Sequence, residues 1–246
     1  METAVPVLIQ KEAISMNTIS KTGRTVSYAL KLTVIISAVT GTLMSALAGR
    51  NSFMGGSRVF MYFTIQSNLA IAVICAAGCY LMMRDKAAGD IWYTVKLAGT
   101  VSITLTGVVF VVLLVPVLGD KAWNIQNTLT HVVVPVSAVA DFFVSAPGGG
   151  IKRKNVVYVI IPPMLYAAYA GIGFLKGWEF APGKNYPYFF LNWGSPLGAF
   201  GFSKDLPYIG CVWWILLLMV FLIAVGLCYI AAADRIGKRT GRSMRN

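Results

Sequence analysis

Six stretches of the chain are almost continuously apolar: Tyr28–Ala48, Val59–Met83, Val95–Leu118, Trp123–Ala146, Val156–Leu175 and Tyr208–Ala233. A bilayer core demands about 20 helical residues at ~1.5 Å each, and every stretch reaches that length. The pattern therefore predicts an all-α polytopic membrane bundle of six transmembrane helices. Residues 1–25 read as an N-terminal tail, 26–233 as the transmembrane domain and 234–246 as a basic tail. The fourth stretch is the most polar, with Asn127, Thr128, Thr130, His131 and Asp141, and is expected to pack inside the bundle. The connections are short except Lys176–Pro207, between the fifth and sixth helices.

Composition supports this reading. The chain of 246 residues is 57% hydrophobic and 12% charged. A soluble domain carries about 25% charged residues, so there is too little polar surface to cover a globule. Lipid must cover much of it. The net charge of +12 is that of many nucleic-acid-binding chains, but its distribution argues against nucleic acid. Basic residues cluster between apolar runs, as flanking charges that orient helices and meet anionic headgroups do. Cys75, Cys79, Cys211 and Cys228 all lie in apolar runs without CxxC spacing and read as packing residues. The first 25 residues lack the apolar core of a signal peptide, so the first helix is expected to remain as an anchor.

An even helix count places both termini on one side. Fourteen basic residues fall there: Lys11, Lys21, Arg24, Arg84, Lys86, Lys96, Lys152, Arg153, Lys154, Arg235, Lys238, Arg239, Arg242 and Arg245. Six fall opposite: Arg50, Arg58, Lys121, Lys176, Lys184 and Lys204. Positive-inside bias makes the first side cytoplasmic. A multi-pass protein of a bacterial plasma membrane is the expected setting.

Polar residues then mark a site. On the second helix, Thr64, Ser67 and Asn68 share a face through three- and four-residue spacing, and Cys75 and Cys79 extend it. On the fourth, Asn127, His131 and Pro135 repeat at four. His131 is the one histidine of the chain. Both helices enter from the non-cytoplasmic side. Thr64 lies ~8 Å deep and His131 ~12 Å by helical rise, so a candidate nucleophile and a candidate base share one layer. Against this, a threonine in a membrane helix ordinarily bonds back to its i−4 carbonyl, here Phe60. Intramembrane histidines are costly and commonly functional, although an interhelical hydrogen bond is the plain alternative. Asp141, ~15 Å deeper than His131, belongs either to a structural ion pair or to the site. Pro162 and Pro163 are expected to kink the fifth helix. The segment Tyr186–Gly194 is too apolar for a solvated loop; it reads as a lid over the bundle mouth or as an interfacial aromatic anchor.

The motifs Phe63-Thr64-Ile65-Gln66-Ser67-Asn68, His131-x-x-x-Pro135 with Asp141, and Tyr186-Pro187 with Phe190-Leu191-Asn192 resemble the androgen-induced membrane protein family, which includes androgen-dependent regulators of tissue factor pathway inhibitor and bacterial relatives. The resemblance spans about residues 28–233. It implies a multi-pass threonine hydrolase of lipid esters, whose animal members cleave fatty acid esters of hydroxy fatty acids. Carried to this chain, it implies Thr64 as nucleophile and His131 as base. Asn68 and Asn192 are candidate oxyanion or substrate contacts, and Ser67, Asn127 and Asp141 candidate supports. The expected partners are membrane lipids and a lipid ester substrate, with no cofactor.

The rival reading is a non-enzymatic transporter or lipid-binding protein, which the polar stripe and Asp141 would suit. No inverted repeat is evident to favour it. A metal enzyme is disfavoured, because one histidine and few intramembrane carboxylates supply no metal shell.

Overall fold

The computed structural model describes residues 19–48, 56–86, 88–145, 151–205 and 207–240. Among these, six helices are long and apolar enough to cross a membrane, and no strand forms. They are α1 (Lys21–Ala48), α2 (Phe63–Met83), α3 (Asp90–Ala122), α4 (Ile125–Ser145), α5 (Arg153–Leu175) and α6 (Cys211–Arg239). The molecule is a multi-pass integral membrane protein. Helix α1 begins seven residues before the apolar run, and α6 continues into the basic residues that read as tail. Apolar pattern marks where lipid is, whereas helical hydrogen bonding continues into water. Most of the N-terminal tail, with Lys11, lies outside the described residues, as do Arg50, Arg242 and Arg245.

Helix α1 packs against α2 and α4, and α3 runs against α2, α4, α5 and α6. One core is built from Val34, Ile71, Cys75, Ile103, Val134 and Ala138 on α1–α4. A second joins Leu97, Val101, Phe142, Val159, Leu222 and Ile230 on α3–α6. Large apolar side chains such as Val73, Val136, Leu165 and Val220 face outward, as lipid contact requires.

Three helices depart from regular α geometry, each at a proline. In α3 a π-turn spans Phe110–Leu114 just before Pro116, and in α4 another spans Leu129–Val133 just before Pro135. A proline ring collides with the carbonyl four residues earlier and offers no N–H, so the turn before it widens. In α5 a 3₁₀ segment, Arg153–Ile160, passes into α-helix at Ile161. Pro162 and Pro163 thus fall in the first α turn, where a missing N–H costs nothing. The expected kink is a change of helix type.

The long α5–α6 connection folds back into the bundle. Phe180, Phe190 and Leu191 are buried with Tyr62 of the α1–α2 connection and Tyr166 and Ala170 of α5. The Tyr62 hydroxyl donates to the Phe180 carbonyl (3.1 Å), and that of Tyr166 to the Met61 carbonyl (3.0 Å). Aromatic bodies satisfy the apolar environment while their hydroxyls tie down loop carbonyls.

Candidate functional site

Thr64 is the second residue of α2, after the extended residue Tyr62. So near a helix start it has no helical i−4 carbonyl to bond, and the back-bond to Phe60 does not form; the Gln66 amide takes the Phe60 carbonyl instead (3.0 Å). The Thr64 hydroxyl lies 3.3 Å from the Tyr188 hydroxyl, and the Thr64 backbone N–H also donates to that oxygen at 3.3 Å.

His131 sits in the middle of the α4 π-turn, four residues before Pro135. Its Nδ1 lies 3.4 Å from the Thr106 carbonyl of α3. A carbonyl only accepts, so Nδ1 carries the proton and Nε2 keeps its lone pair. Phe110, which opens the α3 π-turn, stacks on the imidazole with centroids 4.2 Å apart and planes 13° from parallel. Gly107 lets α3 come this close: a Cβ there would lie 3.1 Å from the His131 carbonyl oxygen.

Thr64 and His131 wall the same two spaces. One is an apolar cavity of about 60 Å³ between α3, α5, α6 and the loop, lined by residues such as Leu105, Val109, Pro163, Met164, Leu218 and Leu222. The other is a mouth of about 650 Å³ at the α3–α4 turn and the long loop, with Lys121, Asn124, Gln126, Asn127, Lys184 and Tyr186 in its wall. Thr64, His131, Tyr188 and Leu114 are common to both. Among the described residues no hydrogen bond joins Thr64 to His131 directly, and no acidic residue lines the mouth.

The other sequence candidates have structural duties. Asn68 is fully buried, and its amide donates to the Thr64 carbonyl (2.8 Å) and to the Thr130 carbonyl (3.1 Å). The second bond has a local cause. In the π-turn, Val134 N–H goes to the Leu129 carbonyl, and the next donor in that register would be Pro135, which has none. The Thr130 carbonyl is left over and Asn68 takes it, binding the Thr64 turn to the His131 turn. Both amide hydrogens are then committed, so Asn68 is a clamp and offers no oxyanion donor. Its Oδ1 has no partner among the described residues. Asn68→Ala is expected to cost about 1–3 kcal/mol, since it orphans a buried carbonyl. Thermal unfolding in detergent measures it, and a change below about 0.5 kcal/mol would remove the clamp.

Ser67 donates to the Thr64 carbonyl (3.0 Å), and its oxygen lies 2.8 Å from the Thr106 hydroxyl, tying α2 to α3 beneath the site. Asn127 donates to the Ala122 carbonyl (2.8 Å) and closes the α3–α4 turn at the mouth. Asn192 turns its side-chain oxygen to the Gly194 N–H (3.1 Å) and lines neither space, so it too lies away from the pair. Asp141 stands apart, in a buried ion cluster with Lys31 and Lys96. Lys96, counted above as a loop charge, lies inside α3 at 4% exposure because Asp141 holds it.

Sequence reading missed Tyr188. It belongs to the quoted loop segment, but nothing in one-dimensional spacing connects residue 188 to residue 64. No protein-family model, curated protein or solved structure matches this chain.

Proposed function

We propose that this protein is an integral-membrane threonine hydrolase that cleaves lipid esters, with Thr64 as nucleophile and His131 as base. The observation that carries the reading is that Thr64 and a His131 of defined tautomer wall both spaces at their junction. A threonine hydroxyl is a weak nucleophile and needs such a base. His131 Nε2 takes its proton and returns it to the leaving alkoxide. The resemblance to the androgen-induced membrane protein family points to the same pair.

Each space suits one half of an ester. The apolar cavity, walled by Leu105, Val109, Leu218 and Leu222, suits the first part of an acyl chain. A longer acyl chain leaves it past Met164, 38% exposed on α5, and Met219 on α6, into lipid. The mouth carries Lys121 and Lys184 and suits a leaving half that bears a carboxylate, as in a fatty acid ester of a hydroxy fatty acid. The test is an alkyl fluorophosphonate probe on the purified protein: labelling at Thr64 supports the reading, and an unlabelled Thr64 sinks it.

The same reading places both termini in the cytoplasm of a bacterium and the site in the outer half of the plasma membrane. A cysteine put at Lys121 should react with an impermeant reagent added to intact cells, and one at Lys154 should not. The reverse pattern would invert the orientation.

A further inference from the structure

A threonine hydrolase needs donors for the oxyanion of its tetrahedral intermediate; both amide hydrogens of Asn68 are committed elsewhere, and Asn192 lines neither space. Two donors remain beside the Thr64 hydroxyl. One is its own backbone N–H, in the first turn of α2, where helical N–H groups lack intrahelical acceptors and the helix dipole favours negative charge. The other is the Tyr188 hydroxyl, 3.3 Å from both the N–H and the hydroxyl oxygen of Thr64. We propose that Tyr188 is a third catalytic residue, whose phenolic O–H together with the Thr64 N–H holds the oxyanion formed when Thr64 attacks the ester. The proposal rests on the hydrolase reading above.

The chemistry balances. Thr64 Oγ1 bonds to the carbonyl carbon, its proton passes to His131 Nε2, and the carbonyl π pair moves onto oxygen. That oxygen inserts between the Thr64 N–H and the Tyr188 O–H, parting a 3.3 Å contact that is long for a hydrogen bond. Collapse breaks the bond to the alkoxy oxygen, which takes the proton from His131 and leaves as alcohol. Water, deprotonated by His131, attacks the acyl-threonine; the acid departs and Thr64 regains its proton.

The Tyr188 ring is held for such a task. It stacks on Phe190 (5.1 Å, 2°), meets Tyr62 edge-on (5.8 Å, 81°) and leans on Tyr166 (6.2 Å). A donor fixed by packing has little reorganisation left when charge develops. The titratable groups around it are Tyr62 and Tyr166 against the ring, His131 across the shared cavities, and Lys121 and Lys184 in the mouth. Burial raises the Tyr188 phenol above its ordinary value, so at neutral pH it stays protonated and able to donate.

The experiment follows alkyl fluorophosphonate labelling of Thr64 and p-nitrophenyl ester turnover in the full-length protein. Tyr188→Phe keeps the ring contacts and removes the donor. Labelling should slow by about 10²–10³-fold, and kcat should fall with KM little changed. A rise in KM at constant kcat would mean packing only and would overturn the proposal, as would an unchanged labelling rate. A second variant replaces Tyr188 by 3,5-difluorotyrosine, which retains every ring contact and ionises at lower pH. Only the protonated phenol donates, so its rate should be full below the phenol pKa and fall as pH rises through it. Absence of that new alkaline limb overturns the role even where Tyr188→Phe fails to fold. If the unsubstituted protein is not labelled at Thr64, the hydrolase reading fails and the Tyr188 role falls with it; labelled Thr64 with indifferent variants removes Tyr188 alone.

Discussion

Replacing Asp141 with alanine is expected to be the most destabilising single change in the bundle, costing about 3–5 kcal/mol. Asp141 of α4 holds Lys31 of α1 (Nζ to Oδ1, 2.5 Å) and Lys96 of α3 (Nζ to Oδ2, 2.9 Å), and all three are at most 4% exposed. Ser27 donates to Asp141 at 2.6 Å, and Lys96 also donates to Ser145. Lys31 reaches the carboxylate by crossing α2 at Gly78, where a Cβ would lie 2.7 Å from its Cε. With the carboxylate gone, two buried ammonium groups lose the counter-charge they share. Total stabilities are typically about 5–15 kcal/mol, so the loss is a large share. The sign of the charge supplies the control. Lys31→Met removes one cation and leaves the Lys96–Asp141 pair matched, so it should cost clearly less than Asp141→Ala. Thermal unfolding of both variants in one detergent checks the ordering. Equal losses would show that the cluster acts through packing and not through charge.

The largest effect on activity is expected at Thr64. Thr64→Ala should abolish fluorophosphonate labelling and ester turnover, because among the described residues Thr64 alone joins a hydroxyl at a helix start to the wall shared by both spaces. Thr64→Ser should retain part of the activity, since the oxygen survives. His131→Ala should lower the rate by about 10²–10⁴-fold, the usual contribution of a positioned general base. Both alanine variants should keep the fold. Thr64 contributes one long contact, to Tyr188, and His131 one long bond and the Phe110 stack; each loss lies within the ordinary 0.5–3 kcal/mol or so of a single substitution. Unfolding profiles alongside the rates separate the two effects. If Thr64→Ala leaves turnover intact, lipid binding or transport becomes the better account of the two spaces.

The number of spans, their order and the all-α class were legible in the sequence. Lipid imposes a length and composition on each helix that is local and needs no partner to be read. The face shared by Thr64, Ser67 and Asn68, and the His131–Pro135 spacing, were legible for a similar reason, since helical periodicity is a property of a single segment. Even the π-turn around His131 follows from Pro135, because the clash of a proline ring with the carbonyl four residues back is a local event. What these side chains do was decided between segments. Asn68 became a clamp because the proline left Thr130 with a spare carbonyl on the neighbouring helix. Asp141 became an ion centre because α1 and α3 each bring a lysine to its level, and one of them had counted as a loop charge. Tyr188 reached Thr64 because an aromatic loop returned into the bundle mouth. Such pairings join residues 45 to 124 positions apart, and no period or composition encodes a distance across the bundle. Helix packing and loop return set those distances, and they exist only in the folded chain.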